Sequence, residues 1–325
     1  MRTRVFQSAL CAVAALLLIT SSVQAQPANP LRDEFLRGAA SSYAVLPDIA
    51  RCQAGVLKDA EKQQALDVIN DIRRLHGLGA VTYDTSADAE VMQASLMIAA
   101  NDQLSHTPPP SWKCFSQDGA AGAGTSVIYG GLSSPNLSYY TPEKYIIGWL
   151  CDTRNVVSNS IGHRRWLLDP FLKQISFGAV QGQAGQAARN SNAPMSGGAA
   201  MKVVYSNETR ATAKYPIIAY PDGDYPARYY ADGALLSFGL VIDYTDKFAN
   251  DKVDYSKAKI VMRKRDGTVV PVSDIAYFTD FSGLPNSLQF KPQALEHNTY
   301  YDVNVTGVKV NGEIYTFSYW FRVVG

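Results

Sequence analysis

Two histidines stand in company that suits chemistry. His106 lies in the run Asn101-Asp102-Gln103-Leu104-Ser105-His106-Thr107-Pro108-Pro109, and His163 in Asn159-Ser160-Ile161-Gly162-His163-Arg164-Arg165-Trp166. Prolines fix the chain after the first and a glycine frees it before the second. Such punctuation sets a side chain at a loop end, where function concentrates, and imidazole both exchanges protons and ligates metals near neutral pH. A histidine at a helix C terminus also has a plain structural use, bonding the last carbonyls and complementing the dipole. His76, before Gly77 at a predicted helix end, and His297, in a strand-rich region, read as structural. Ser160 lies near His163, yet nothing marks it as a nucleophile on a strained elbow. Asp222-Gly223-Asp224 lacks the spacing of an EF-hand and reads as a turn.

Three helices must position these residues. From Asp59 to about His76 the apolar Ala65, Leu66, Ile69, Ile72 and Leu75 recur at helical spacing, and Gly77 and Gly79 end the run. A second helix is expected from about Ser86, as N-cap, to Gln103. A third begins at Thr141-Pro142-Glu143, where a capping hydroxyl, an N1 proline and a first-turn acid coincide, and is expected to reach about Arg154. Strands follow over 174–180 and 201–205, joined by a Gly/Ala/Gln/Asn-rich stretch with the character of a loop. From Lys214 the texture changes. Phe238, Leu240, Ile242 and Tyr244 alternate, as do Phe317, Tyr319, Phe321 and Val323, and Asp266-Gly267 and Asn311-Gly312 are hairpin turns. That pattern predicts an antiparallel β-sandwich.

The region from Asp59 to Tyr205 resembles the CAP superfamily of cysteine-rich secretory proteins, antigen 5 and pathogenesis-related 1 proteins. The likeness rests on order and spacing: a helix, a helix ending in the Ser105-His106 step, a Gly-rich segment before Tyr129, a helix carrying Trp149, then Gly162-His163 and a closing hairpin. It implies a CAP-type α-β-α sandwich, which with the immunoglobulin-like β-sandwich expected after it makes an α+β fold. It further implies a central cleft in which His106 and His163 take the family's histidine positions and Asp152 stands for a usual glutamate. The fourth position departs, because the family's Gly-Glu-Asn falls on Gly124-Thr125-Ser126, which offers hydroxyls and no carboxylate. His106, His163 and Asp152 would then be the ligands for zinc or another divalent metal, with Thr125 and Ser126 also lining the cleft. On one continuous helix Asp152 and His163 would stand roughly 16 Å apart, so the chain must leave the helix near Asn155 and fold back. Asp152 has an alternative as an ion-pair partner of Arg154, Arg164 or Arg165, and Arg164-Arg165-Trp166 has one as a link to Asp169.

The N terminus adds an address. Arg2 and Arg4, an apolar run from Ala9 to Ile19 and the small residues of Val23-Gln24-Ala25 read as a signal peptide over 1–25, leaving a product for the extracellular space or periplasm with no membrane span. Its removal takes two arginines and no acids, so the net charge of +1 becomes −1, no footprint for nucleic acid. The division expected is a 26–50 extension, a CAP domain over 51–206, a linker over 207–213 and a β-sandwich over 214–325. Cys52, Cys114 and Cys151 remain after export, so one bridge and one free thiol is the simplest reading. The pairing favoured is Cys52–Cys114, with Cys151 as a buried thiol beside Trp149. Asn136, Asn207 and Asn304 stand in glycosylation sequons.

The functional reading is binding rather than catalysis. A secreted CAP protein of bacterial type would hold an extracellular ligand or cell-surface component (lipid, protein or wall material) in the cleft lined by His106, Asp152 and His163. One alternative is a metal-dependent hydrolase, weakened by the missing glutamate. Another is a surface-binding protein that acts through the β-sandwich.

Overall fold

The computed structural model describes residues 29–131, 133–183, 194–206 and 210–325. The expected export signal, half of the Gly/Ala/Gln/Asn-rich stretch, Asn207 and part of the expected linker lie outside them. The N-terminal part contains α1 (Pro30–Ser42), α2 (Asp59–Leu75), α3 (Asp88–Asn101), α4 (Gln117–Gly124), α5 (Pro142–Cys151) and α6 (Gly162–Leu167). A two-stranded ribbon joins β1 (Tyr43–Val45) to β2 (Val56–Leu57). The main sheet has β3 (Thr82–Tyr83), β4 (Ser126–Gly130), β5 (Gln174–Gln183) and β6 (Met195–Lys202) in the order β3-β5-β6-β4, with β3 parallel to β5 and the other pairs antiparallel.

Successive residues of a strand face opposite ways, and β5 uses this to make three layers. Phe177 packs against Tyr145 and Trp149 of α5. Its neighbour Gly178 faces α3, where a Cβ would stand 2.6 Å from the carbonyl carbon of Val91. Gly198 of β6 meets the same helix as closely, so two glycines let α3 lie with its backbone almost on the sheet. α2 and α5 cover the other face through Ile69, Ile72, Ile146 and Trp149, all buried.

The C-terminal part is all β. One sheet is β12 (Val269–Val270), β11 (Lys259–Lys264), β15 (Tyr301–Val310), β16 (Glu313–Val324) and β8 (Gly223–Pro226), with β10 (Val253–Asp254) also on β15. The other is β13 (Val272–Phe278), β14 (Ser287–Pro292), β9 (Leu236–Leu240) and β7 (Ile217–Tyr220). Their inner faces meet through Phe238 and Tyr319, stacked at 6.0 Å, with Phe290, Val303 and Phe321 buried around them. Asn311 (φ 50°) and Gly312 (φ 97°) turn β15 into β16, a left-handed pair that Asn-Gly adopts readily.

The fold departs from the sequence reading at several points. The sandwich is not wholly antiparallel, since β8 runs parallel to β16. Ser86 does not cap α3. Asp84 accepts from both its backbone N–H and its hydroxyl and caps a 3₁₀ turn over Thr85–Ala87 instead. The third helix stops at Cys151 rather than Arg154, because Asp152 takes a left-handed conformation (φ 56°). The last strand of the N-terminal sheet starts earlier than 201, at Met195. α1 and α4 give weak periodic signals: the first is polar on most of its surface, and the second is a run of Gly and Ala capped by Ser116.

Candidate functional site

The cleft is built where three elements end. α3 terminates at Asn101, whose side chain donates to the Lys113 carbonyl (3.0 Å) and accepts from the Lys113 N–H (2.9 Å). This fixes the base of the loop that carries His106. The Cys52–Cys114 disulfide ties the far end of that loop to the turn over Ile49–Arg51. Cys151 is a buried free thiol, and burial raises its pKa. It stands 3.5 Å from the Tyr220 hydroxyl, in a seam between the two parts of the chain.

His106 sits on the rim. Its Nδ1 stands 2.9 Å from the Ala123 carbonyl of α4. A carbonyl only accepts, so Nδ1 carries the proton and Nε2 keeps a lone pair. His163, in the first turn of α6, is held by Asp152. The carboxylate Oδ1 accepts from His163 Nδ1 (2.8 Å) and from the Asn155 side chain (3.0 Å), while Oδ2 accepts from the backbone N–H groups of His163 (3.1 Å) and Arg164 (3.4 Å). Asp152 thus closes α5, opens α6 and orients an imidazole with one carboxylate, and its side chain is only 1% exposed. Its partners are His163, Asn155 and a backbone amide rather than the guanidinium of Arg154, Arg164 or Arg165.

Those arginines serve elsewhere. Arg164 is buried, donates to the last carbonyls of α5 (Leu150 at 2.6 Å, Cys151 at 2.9 Å) and to Leu235 (2.6 Å), and lies 3.9 Å over the Tyr220 ring. Arg165 makes a two-pronged pair with Asp280 (3.0 and 2.8 Å) and reaches the Asp280 and Leu284 carbonyls. Asp169 is taken by Lys247 (2.6 Å).

His106 and His163 line one cavity of about 580 Å³. Ser126 lines it too, with its Oγ buried and without a hydrogen-bond partner among the described residues. Thr125 does not belong to the lining, and its hydroxyl donates to the Ala121 carbonyl (2.8 Å) at the end of α4. Asp152 stands behind His163, outside this lining. The sequence reading missed Tyr129, Arg154, Asn155, Val156, Val157 and Ser282, all of which line the cavity. The 156–157 pair lies in the stretch expected to fold back, so its place could be anticipated. Ser282 comes from the C-terminal part, and nothing local marks it.

The donor set bears on metal. Both oxygens of Asp152 are already engaged. Among the described residues, no group of three or more His, Cys, Asp or Glu stands together so as to hold an ion. Only two imidazole Nε2 atoms remain, each oriented from behind by an acceptor.

No described helix is long and apolar enough to cross a membrane. Residues 66–193 match the model of the CAP family, the cysteine-rich secretory protein family. That segment includes His106, Ser126, Asp152 and His163. No curated protein matches the chain. With helices on both faces of the β3-β5-β6-β4 sheet and the family match over the same region, the segment over 66–193 belongs to the CAP family.

Proposed function

We propose that the chain is an exported binding protein whose histidine cleft takes up an extracellular ligand. One observation carries this reading: a cavity of about 580 Å³ gathers two fixed imidazoles, an unpartnered buried hydroxyl and two exposed valines. Its size suits a small molecule or one end of a larger one. Val156 and Val157 are 78% and 62% exposed, and an apolar face of a ligand would cover them. A divalent ion such as zinc would have the Nε2 atoms of His106 and His163, with Asp152 holding His163 rather than ligating. Catalysis has less support, because no carboxylate among the described residues lines this cavity to share acid and base work with the Asp152–His163 pair.

The C-terminal part belongs to the same functional unit in this reading. Ser282 completes the cleft wall, the Arg165–Asp280 pair anchors its loop, and Gln289 donates to the Asn159 carbonyl (2.6 Å) beneath the folded-back stretch. The CAP domain expected over 51–206 and the sandwich expected over 214–325 are then not two separable binding modules.

A neutral apolar dye tests the reading. The mature chain is expected to bind one equivalent of Nile red with quenching of Trp166. A variant with both Val156→Asp and Val157→Asp should lose that binding while keeping its thermal transition. No saturable uptake, or uptake that the double variant retains, would sink it. Equilibrium dialysis against zinc, with the His106→Ala/His163→Ala double variant as control, checks the two-imidazole site separately.

A further inference from the structure

A second cavity, of about 450 Å³, adjoins the histidine cleft and shares Tyr129, Arg154, Asn155 and His163 with it. Its walls differ in kind. Tyr129 and Tyr140 are in tilted contact, with centroids 5.6 Å apart and planes at 39°, and Tyr145 packs on both at 5.3 Å. Tyr230 contributes a further ring from the C-terminal part, and Ser138 and Thr153 add hydroxyls. Two cations also line the space. Lys144 Nζ stands 5.7 Å from the Tyr140 ring centre and donates to the Tyr139 carbonyl at 3.4 Å. Arg154 lies beside the Tyr129 phenol, whose pKa is pushed up to about 12 mainly by burial, with Tyr140 adding to the rise and Arg154 opposing it. Among the described residues neither cation has a carboxylate partner, and the one carboxylate in the lining, Asp152, is spent on His163, Asn155 and backbone amides.

The cavity therefore presents positive charge beside flat rings and hydroxyls. A bare anion would leave the rings idle, and an alkyl chain would leave both cations and the hydroxyls without partners. A ring that carries a carboxylate and several hydroxyls uses all three. We propose that this second cavity is a subsite for an acidic sugar, a uronate residue of a glycan, with Arg154 and Lys144 taking its carboxylate and the Tyr129 and Tyr140 rings taking its face. The glycan continues past Arg154 into the histidine cleft. That continuation rests on the function proposed above, whereas the subsite itself does not.

The test is calorimetric titration of the mature chain with galacturonic acid, trigalacturonic acid and the methyl ester of the trisaccharide, which keeps the rings and removes the charge. The acids are expected to bind, the ester about tenfold or more weakly, and Lys144→Met and Arg154→Met each to weaken the acids about tenfold. Nile red uptake should be unchanged in Lys144→Met, which shows that this variant is folded with its first cleft intact. Equal affinity for acid and ester, no binding of any acid, or full affinity in both variants overturns the subsite. His106→Ala should weaken the trisaccharide and spare the monosaccharide. If it spares both while the Lys144 and Arg154 effects hold, the subsite stands and the continuation into the cleft falls.

Discussion

The seam between the two parts of the chain and the histidine cleft both draw on α6 and on the C-terminal part, yet they treat polar groups in opposite ways. At the seam, His76 is buried with Nδ1 donating to the Ala219 carbonyl (2.7 Å) and Nε2 accepting from the Tyr225 hydroxyl (3.2 Å). Asp169, fully buried, meets Lys247 at 2.6 Å and the Phe171 N–H at 3.0 Å. A few steps along α6, the cleft leaves Ser126 Oγ without a partner, gives both histidine Nε2 atoms no protein hydrogen bond among the described residues, and exposes Val156 and Val157. Buried polar groups are ordinarily satisfied. A region that satisfies them holds the fold, and one that does not is shaped for something to arrive.

The largest break of this contrast is at the seam. Lys247→Met would leave the Asp169 carboxylate buried without its counter-ion, which costs about 3–5 kcal/mol when one partner of such a pair is removed. Urea denaturation should show a loss of that order. At temperatures where the variant remains folded, Nile red uptake should persist. A loss under about 1 kcal/mol would mean that the seam tolerates an unsatisfied charge after all.

His76 sharpens the contrast through pH. Burial lowers its pKa from 6.5 to about 3, and the positive charges of Arg164 and Arg73 push the same way. The folded chain therefore keeps the ring neutral, while the unfolded chain protonates it below about 6.5. The stability due to the neutral ring is fully present above that pH and is lost as pH falls toward the folded value. The slope is about 1.4 kcal/mol per pH unit, or about 2 kcal/mol between pH 6.5 and 5. Urea midpoints across that interval should fall in the wild type and fall less in His76→Gln. Parallel pH profiles would remove His76 from the account of the seam.

How much of this was legible beforehand depends on the range of the interaction. α2 and α5 could be read because their apolar spacing and the Thr141-Pro142 start are local, and the Asn311-Gly312 turn for the same reason. The place where the third helix stops was not, because it is set by a left-handed Asp152 whose carboxylate is drawn to His163, eleven residues on. The family likeness pointed to the two histidines and to Ser126, which share the cavity. It gave Thr125 the same standing, although that hydroxyl bonds back to its own helix. Tyr129, Arg154 and Ser282 join the site only through the packing of distant segments, and no window of sequence records that. The neighbouring cavity was missed for the same cause: its rings and cations come from β4, the segment leading into α5, α5 itself, the turn after it and a loop of the C-terminal part.

The smallest expected effect is the most discriminating, because its sign should reverse between two buried serines. Ser95 of α3 is buried, and its hydroxyl stands 2.7 Å from the Val91 carbonyl and 3.0 Å from the Gly178 carbonyl, so Ser95→Ala should cost about 1 kcal/mol. Ser126 is also buried but has no partner for its hydroxyl among the described residues. Its removal forfeits no hydrogen bond and relieves a desolvated polar atom, so Ser126→Ala should be neutral or stabilising by up to about 1 kcal/mol. Thermal denaturation of the two variants side by side measures the difference with the chemical change held fixed. If Ser126→Ala destabilises as much as Ser95→Ala, the hydroxyl is bonded in the resting chain, and the cleft loses the feature that most clearly separates it from the seam.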